Sequence, residues 1–363
     1  MRAGIPARRL PKGVPQQDID DTLARGVVLK TNSPIKAPAG LLKRGYNAVC
    51  LATGISSRDQ AIGIEGENAE GVIPAATFLR KINLGEPIAI GDRVAVIGGG
   101  ITALDAAAVA RRLGAEVYLV LDRPRGELPA YELEMSAIEA EGIHLFERTT
   151  ATRILARNGK VIGIELAQTE GGTTTDERGR RSPTIKPGSE FTCEVDTVIG
   201  TVGQLSDLSF LDKRYDDLTV DKRTLASDIP GLFAVGGRKT GASYIIDAVA
   251  LGHRVAMSID RYLQGQPLKQ AAPSAPPVVK FAREELAQKV MRGEIHLQPR
   301  TQPALLPMEE RVTSFREVVL GLTERQARAE AQRCLQCGLC SECLACVYAC
   351  GVDAIDHNMV ARE

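Results

Sequence analysis

The sequence predicts an α/β protein built on parallel strands, and three observations carry that expectation. Residues 93–121 read as strand, glycine turn, helix and second strand. Short apolar runs such as Gly26-Val-Val-Leu-Lys30 and Ala48-Val-Cys-Leu-Ala52 alternate with turn residues. A separate C-terminal segment is dense in cysteine and sets a small second body apart from the α/β part.

The chain's 363 residues suffice for two or three cores. Forty-four per cent of the residues are apolar and 25% charged, ordinary values for a globular protein. Forty-five basic residues balance 45 acidic ones, so there is no electrostatic footprint for nucleic acid or an anionic membrane. The start, Met1 to Lys12, is basic but lacks the apolar core of a signal peptide. No apolar run approaches the roughly 20 residues of a membrane span. The best candidate, Val94–Ala110, is broken by three glycines and Asp105. A cytoplasmic protein is expected.

Five stretches differ in character. Residues 1–90 carry the short apolar runs, 91–200 open on the glycine turn and become strand-rich, and 201–265 end in a long helical pattern near Leu263. Residues 266–310 contain Pro-rich linker sequence around a charged helix, and 311–363 hold a helix and the cysteines.

In Arg93-Val-Ala-Val-Ile-Gly-Gly-Gly-Ile-Thr-Ala-Leu-Asp105, the residues Gly98, Gly100 and Ala103 fit the dinucleotide fingerprint, with Gly99 between them. The first glycine makes the turn and the second admits a pyrophosphate to the backbone. The third position must be small so that the helix packs against its strand. Free N–H groups at the helix start would hold the phosphates. The helix is expected over Ile101–Leu113, stopped by Gly114, with Glu116–Leu121 as the next strand. At its end stand Asp122, Arg123 and Arg125. An acid there favours the ribose 2′-hydroxyl of NAD and arginines favour the 2′-phosphate of NADP, so both coenzymes stay open.

Gly4-Ile-Pro-Ala-Arg-Arg-Leu-Pro11, Leu51-Ala-Thr-Gly54, the Gly98 fingerprint, Val202-Gly-Gln204 and Gly231-Leu-Phe-Ala-Val-Gly-Gly237 occur in one order. So ordered, the chain resembles the glutamate synthase small-subunit family of NAD(P)H- and FAD-dependent oxidoreductases over residues 1 to about 265. The resemblance implies a two-dinucleotide-binding, Rossmann-like fold, with an NAD(P)-binding domain (91–200) set into a discontinuous FAD-binding domain (1–90 and 201–265). Ala52, Thr53 and Gly54 on one side, and Gly203 and Gln204 on the other, would mark the crossovers. Gly236, Gly237, Gly241, Ala242 and Ser243 would lie along the flavin, the last three at the start of a helix aimed at the flavin pyrimidine.

The sequence also departs from the family. Its first glycine fingerprint, which precedes the Gly4–Pro11 segment in relatives, does not occur ahead of Met1. The expectation is an N-terminally truncated FAD domain whose missing unit comes from a longer parent polypeptide or a separate chain. A subunit that has lost FAD is the alternative. Gly237 stands where the family has an aspartate, and Asp122-Arg123 replaces paired arginines.

Six of the eight cysteines fall at Cys334, Cys337, Cys340, Cys343, Cys346 and Cys350. The last four reproduce the C-x2-C-x2-C-x3-C run of bacterial ferredoxins, with Gly351 in place of proline. Zinc sites instead pair two C-x2-C hairpins separated by a dozen or more residues. A 4Fe–4S cluster is therefore expected. Two clusters would need eight thiolates, and which of Cys334, Cys337 or Cys350 completes the first stays open. Upstream, Thr323 and Gln326 form a capping-box pattern that starts a helix. This segment resembles ferredoxin-like modules of relatives coupled to heterodisulfide-reductase-like subunits.

The expected function is passage of electrons between NAD(P)H, FAD and the cluster to another redox subunit or domain. No catalytic acid or base is expected, because the cofactors carry the chemistry. Cys50 and Cys193 have no neighbouring thiol in sequence, and His144, His253, His296 and His357 show no metal spacing. The alternatives are a non-catalytic docking subunit and a dedicated glutamate synthase small subunit.

Overall fold

The fold is described from a computed structural model. The structure describes residues 1–54, 57–59, 61–127, 132–171, 183–201, 204–206, 211–212, 215, 218–236, 245–269, 283–294 and 299–332. The chain forms two compact units. One collects residues 1–17, 63–201 and 272–363, and the other residues 18–62 and 202–271.

The first unit is organised by a five-stranded, all-parallel sheet. Its strands run in the order Val72–Pro74, Thr197–Gly200, Arg93–Ile97, Glu116–Val120, His144–Phe146. Parallel sheets are covered on both faces, so their strands read as continuous apolar runs. Val94, Ala95 and Val96 are accordingly all buried. Helix Ile101–Arg112 lies against the sheet, flanked by helices Ala75–Leu84 and Glu132–Ala140. Its residues Ala103–Ala110 are buried without interruption. Gly114, with φ at +99°, ends it where the sequence places the stop.

Residues 63–90, grouped by sequence with the first 90, fall in this unit, and Val72–Pro74 joins its sheet. Val72 and Ile73 pair with Val198 and Ile199. A three-residue parallel strand carries no periodicity of its own, so only its partner reveals it.

The same unit carries an antiparallel hairpin, Thr149–Arg157 with Lys160–Glu170. Asn158 and Gly159 both take left-handed backbone, φ +52° and +78°, as a tight two-residue hairpin turn requires.

Burial of helix Ile101–Arg112 includes two ionised residues, and each has partners. Arg112 forms a fork with Glu141, Nη1 to Oε2 at 2.7 Å and Nη2 to Oε1 at 3.0 Å, and its side chain is fully buried. It also donates to the carbonyls of Ala108 and Ser314. Asp105 accepts from Arg8 Nη2 at 2.7 Å and Arg9 Nε at 3.0 Å, and Arg9 continues to Glu134. Burial would lower the Arg9 pKa, but its hydrogen bonds to Glu134 and Asp105 outweigh that and hold it above the ordinary value. For Arg8 burial wins over Asp105 and the pKa is lowered. The Arg8 carbonyl accepts from Val318 N, which ties residues 304–320 to the N-terminal segment.

The expected capping box is present. Thr323 Oγ1 accepts from Gln326 N and Gln326 Oε1 from Thr323 N, opening helix Glu324–Gln332.

The second unit contains a parallel pair, Val49–Leu51 with Leu232–Ala234. One face packs on Leu211, Tyr215 and Leu218, and the Tyr215 hydroxyl accepts from Ala39 N at 2.9 Å. Phe233 packs with Leu251 and Val255 of helix Ile245–Leu263. That helix ends at Leu263, as its pattern predicts. Among the described residues no helix is long and apolar enough to cross a membrane.

Removing one partner of a buried ion pair leaves an uncompensated charge. Glu141→Ala is expected to destabilise the first unit by about 3–5 kcal/mol, read as a lower denaturant midpoint. Replacing Arg112 and Glu141 together by Met and Leu should recover most of that loss.

Candidate dinucleotide site

The strand Arg93–Ile97 delivers Gly98 to the end of the sheet with φ at +125°. A Cβ there would lie 2.0 Å from Thr201 Oγ1, which itself donates to the Ile97 carbonyl. Both the backbone conformation and the close approach demand glycine. Gly100 is the N-cap of helix Ile101–Arg112 and has no side-chain cap. A Cβ built on it meets no atom within 4 Å, so this turn borders open space. Ala103 beneath it is fully buried. A helix start without a side-chain cap, bordered by open space, suits an anionic pyrophosphate. These residues fit the group the fingerprint implies.

At the end of the next strand Asp122 and Arg123 form a fork, Nε to Oδ1 and Nη2 to Oδ2, both 2.9 Å. Thr169 Oγ1 donates to the Asp122 carbonyl at 2.6 Å and fixes the turn. Arg125 is engaged elsewhere, with Glu147 at 2.8 Å and Glu139 at 3.3 Å. Those hydrogen bonds raise its pKa. Burial would raise the Glu147 carboxyl, but Arg125 outweighs it and holds the carboxyl below its ordinary value. A small cleft of about 70 Å³ opens here, bordered by Asp122, Arg123, Glu127, Arg148, Thr169 and Glu170. Arg148, Glu127 and Glu170 are components that the sequence did not single out. Arg148 has φ at +50°, an uncommon conformation for a side chain of its size.

In the second unit Gly54 and Gly236 follow the two paired strands, with φ at +68° and +80°. A Cβ on Gly236 would lie 3.7 Å from Gly54 Cα. Val235 N donates to the Leu51 carbonyl at 2.9 Å, which holds the two strand ends together. Ala52 and Thr53 lead into Gly54 without regular structure, and Gln204 begins strand Gln204–Ser206. Gly203, Gly237, Gly241, Ala242 and Ser243 lie outside the described residues, as do all six cysteines from Cys334 to Cys350.

Cys50 and Cys193 are free. Burial raises the Cys193 pKa, against the opposing pull of Arg93. Such a thiol is a poor nucleophile. His144 lies against Tyr118 on the strand surface, 5.2 Å between rings.

A parallel β-α-β unit with this glycine turn, together with a second parallel pair ending in apposed left-handed glycines, defines a two-dinucleotide-binding, Rossmann-like α/β protein. The chain belongs to the pyridine nucleotide-disulphide oxidoreductase family, which it matches over residues 21–255. It is similar to the NADP(+)-dependent formate dehydrogenase subunit beta of Moorella thermoacetica, with 37% identity covering 93% of this chain and 49% of that protein. The NADPH glutamate synthase small chain of Azospirillum brasilense is 31% identical, covering 72% of this chain and 59% of that protein. The chain thus spans about half the length of these relatives. The solved structure of FprA from Mycobacterium tuberculosis, a His57Gln mutant, superposes with a TM-score of 0.56 at 19% identity, covering 73% of this chain and 75% of that one. That likeness is one of fold.

Gly98 and Gly100 should separate stability from binding. Gly98→Ala is expected to destabilise by about 1–3 kcal/mol. Gly100→Asp supplies a favoured N-cap and should leave stability unchanged or higher. It places a carboxylate at the pyrophosphate seat, and calorimetry should show ADP-ribose binding weakened at least about tenfold.

Proposed function

We propose that this chain is the NAD(P)H- and FAD-binding part of a multi-subunit oxidoreductase, passing electrons through a 4Fe–4S cluster to a partner protein. The observation that carries the reading is the fingerprint turn, in which Gly98 must be glycine and the helix start behind Gly100 borders open space. Relatives named as beta and small subunits of NADP(+)- or NADPH-dependent enzymes support it.

A bound flavin supplies conversion between two-electron hydride transfer and single-electron transfer. The chain's own part is to position. The N–H groups at the start of helix Ile101–Arg112 hold the pyrophosphate. Asp122 and its surroundings hold the adenosine ribose. Gly54 and Gly236 leave their strand ends free of side chains where the second dinucleotide would lie. Gly237, Gly241, Ala242 and Ser243 would line the flavin, and Ala52, Thr53, Gly203 and Gln204 the crossovers. Cys340, Cys343, Cys346 and either Cys350 or an upstream cysteine would ligate the cluster, on the strength of their spacing. In sequence neither Cys50 nor Cys193 has a neighbouring thiol, which supports electron transfer to a partner over disulfide reduction.

The test is made on the natural polypeptide that carries this chain, purified without oxygen. Released FAD, bound iron and NAD(P)H-dependent dye reduction are expected together. Cys346→Ser should lose iron and the broad visible absorption of the cluster while retaining FAD and dye reduction. Iron without flavin or dye reduction would overturn the proposal in favour of a docking subunit.

A further inference from the structure

We infer that the adenosine end of the dinucleotide site selects a free ribose 2′-hydroxyl, so that this chain takes NADH in preference to NADPH. The inference rests on the dinucleotide reading above and adds to it a choice that Asp122, Arg123 and Arg125 leave open in the sequence.

Neither arginine of the signature is available as an uncompensated cation. Arg123 is folded back onto Asp122 in a two-point fork, and its side chain is only 16% exposed. Arg125 is held by Glu147 and Glu139. The Asp122 carboxylate is more exposed, at 39%, and an ionised carboxylate offers about four lone-pair sites, of which the fork uses two. It can therefore still accept from a hydroxyl.

The rest of the rim points the same way. The cleft is bordered by three carboxylates, Asp122, Glu127 and Glu170, against two guanidinium groups, Arg123 and Arg148. Among the described residues the formal charge of this rim is therefore negative before any ligand arrives. A phosphate monoester brings about −1.5 to −2 more. Like charges at close range disfavour it, and the cleft's small size keeps them close. A hydroxyl brings no charge and a donor that fits Asp122. Arg148 would favour the phosphate, and among the described residues it lines the rim together with Glu127 and Glu170.

The experiment titrates the full natural polypeptide, by calorimetry, with ADP-ribose and with 2′-phospho-ADP-ribose, two probes that need no redox turnover. The wild type should bind ADP-ribose at least about tenfold tighter, and the preference should shrink with added salt. Asp122→Asn removes the acceptor charge and releases Arg123, and should narrow or reverse the ratio. Glu170→Gln lies outside the fork and should narrow it by a smaller factor, which covers the case in which Asp122→Asn misfolds. The ratio of kcat/KM for NADH and NADPH should move in parallel. Equal or tighter wild-type binding of the 2′-phosphate overturns the inference and leaves the dinucleotide site standing. Binding of neither probe overturns the dinucleotide reading and this inference with it. An unchanged ratio in both variants overturns the assignment to Asp122 and the acidic rim.

Discussion

The burial of helix Ile101–Arg112 is the constraint on which the first unit depends. Ala103–Ala110 are enclosed all round, and a helix without a wet face must be covered on every side. The sheet covers one side and helices Ala75–Leu84 and Glu132–Ala140 cover others. Small side chains let the helix approach its strand closely, and that approach sets the glycine turn at the mouth of the site.

Enclosing that helix also enclosed Asp105 and Arg112, and charges in an interior need partners. Those partners come from far along the chain: Arg8 and Arg9 from its first residues, Glu134 and Glu141 from the neighbouring helix and its end, the Ser314 carbonyl from the C-terminal part. The network ties residues 8, 9 and 314 to helix Ile101–Arg112. It specifies one arrangement more than it adds net stability, because desolvation offsets much of the attraction in such pairs.

The parts of the candidate nucleotide site in the first unit are a bare helix start, a turn glycine with positive φ at a strand end and a chelated aspartate. Such a site holds and orients, which is the protein's share when a cofactor supplies the reactivity.

The β-α-β unit, the stop at Gly114, the end of the long helix at Leu263 and the capping box at Thr323 were legible in the sequence. Each depends on contacts within a few residues of itself, where glycine freedom, periodicity and side-chain capping act locally. The strand Val72–Pro74 was not, because three residues show no period and its identity comes from pairing with Val198 and Ile199. The Asn158-Gly159 turn was a local signal available to be read. The roles of Arg8, Arg9, Arg125 and Arg148 were beyond sequence reasoning. An arginine's meaning lies in which carboxylate it meets, and those partners lie 97 positions away for Arg8 and 96 and 125 for Arg9. Sequence alone determined where the turn at Gly98 lies and why it must be glycine. Only the tertiary structure decided which charges around it are already spent on one another, since that depends on long-range packing that no local pattern encodes.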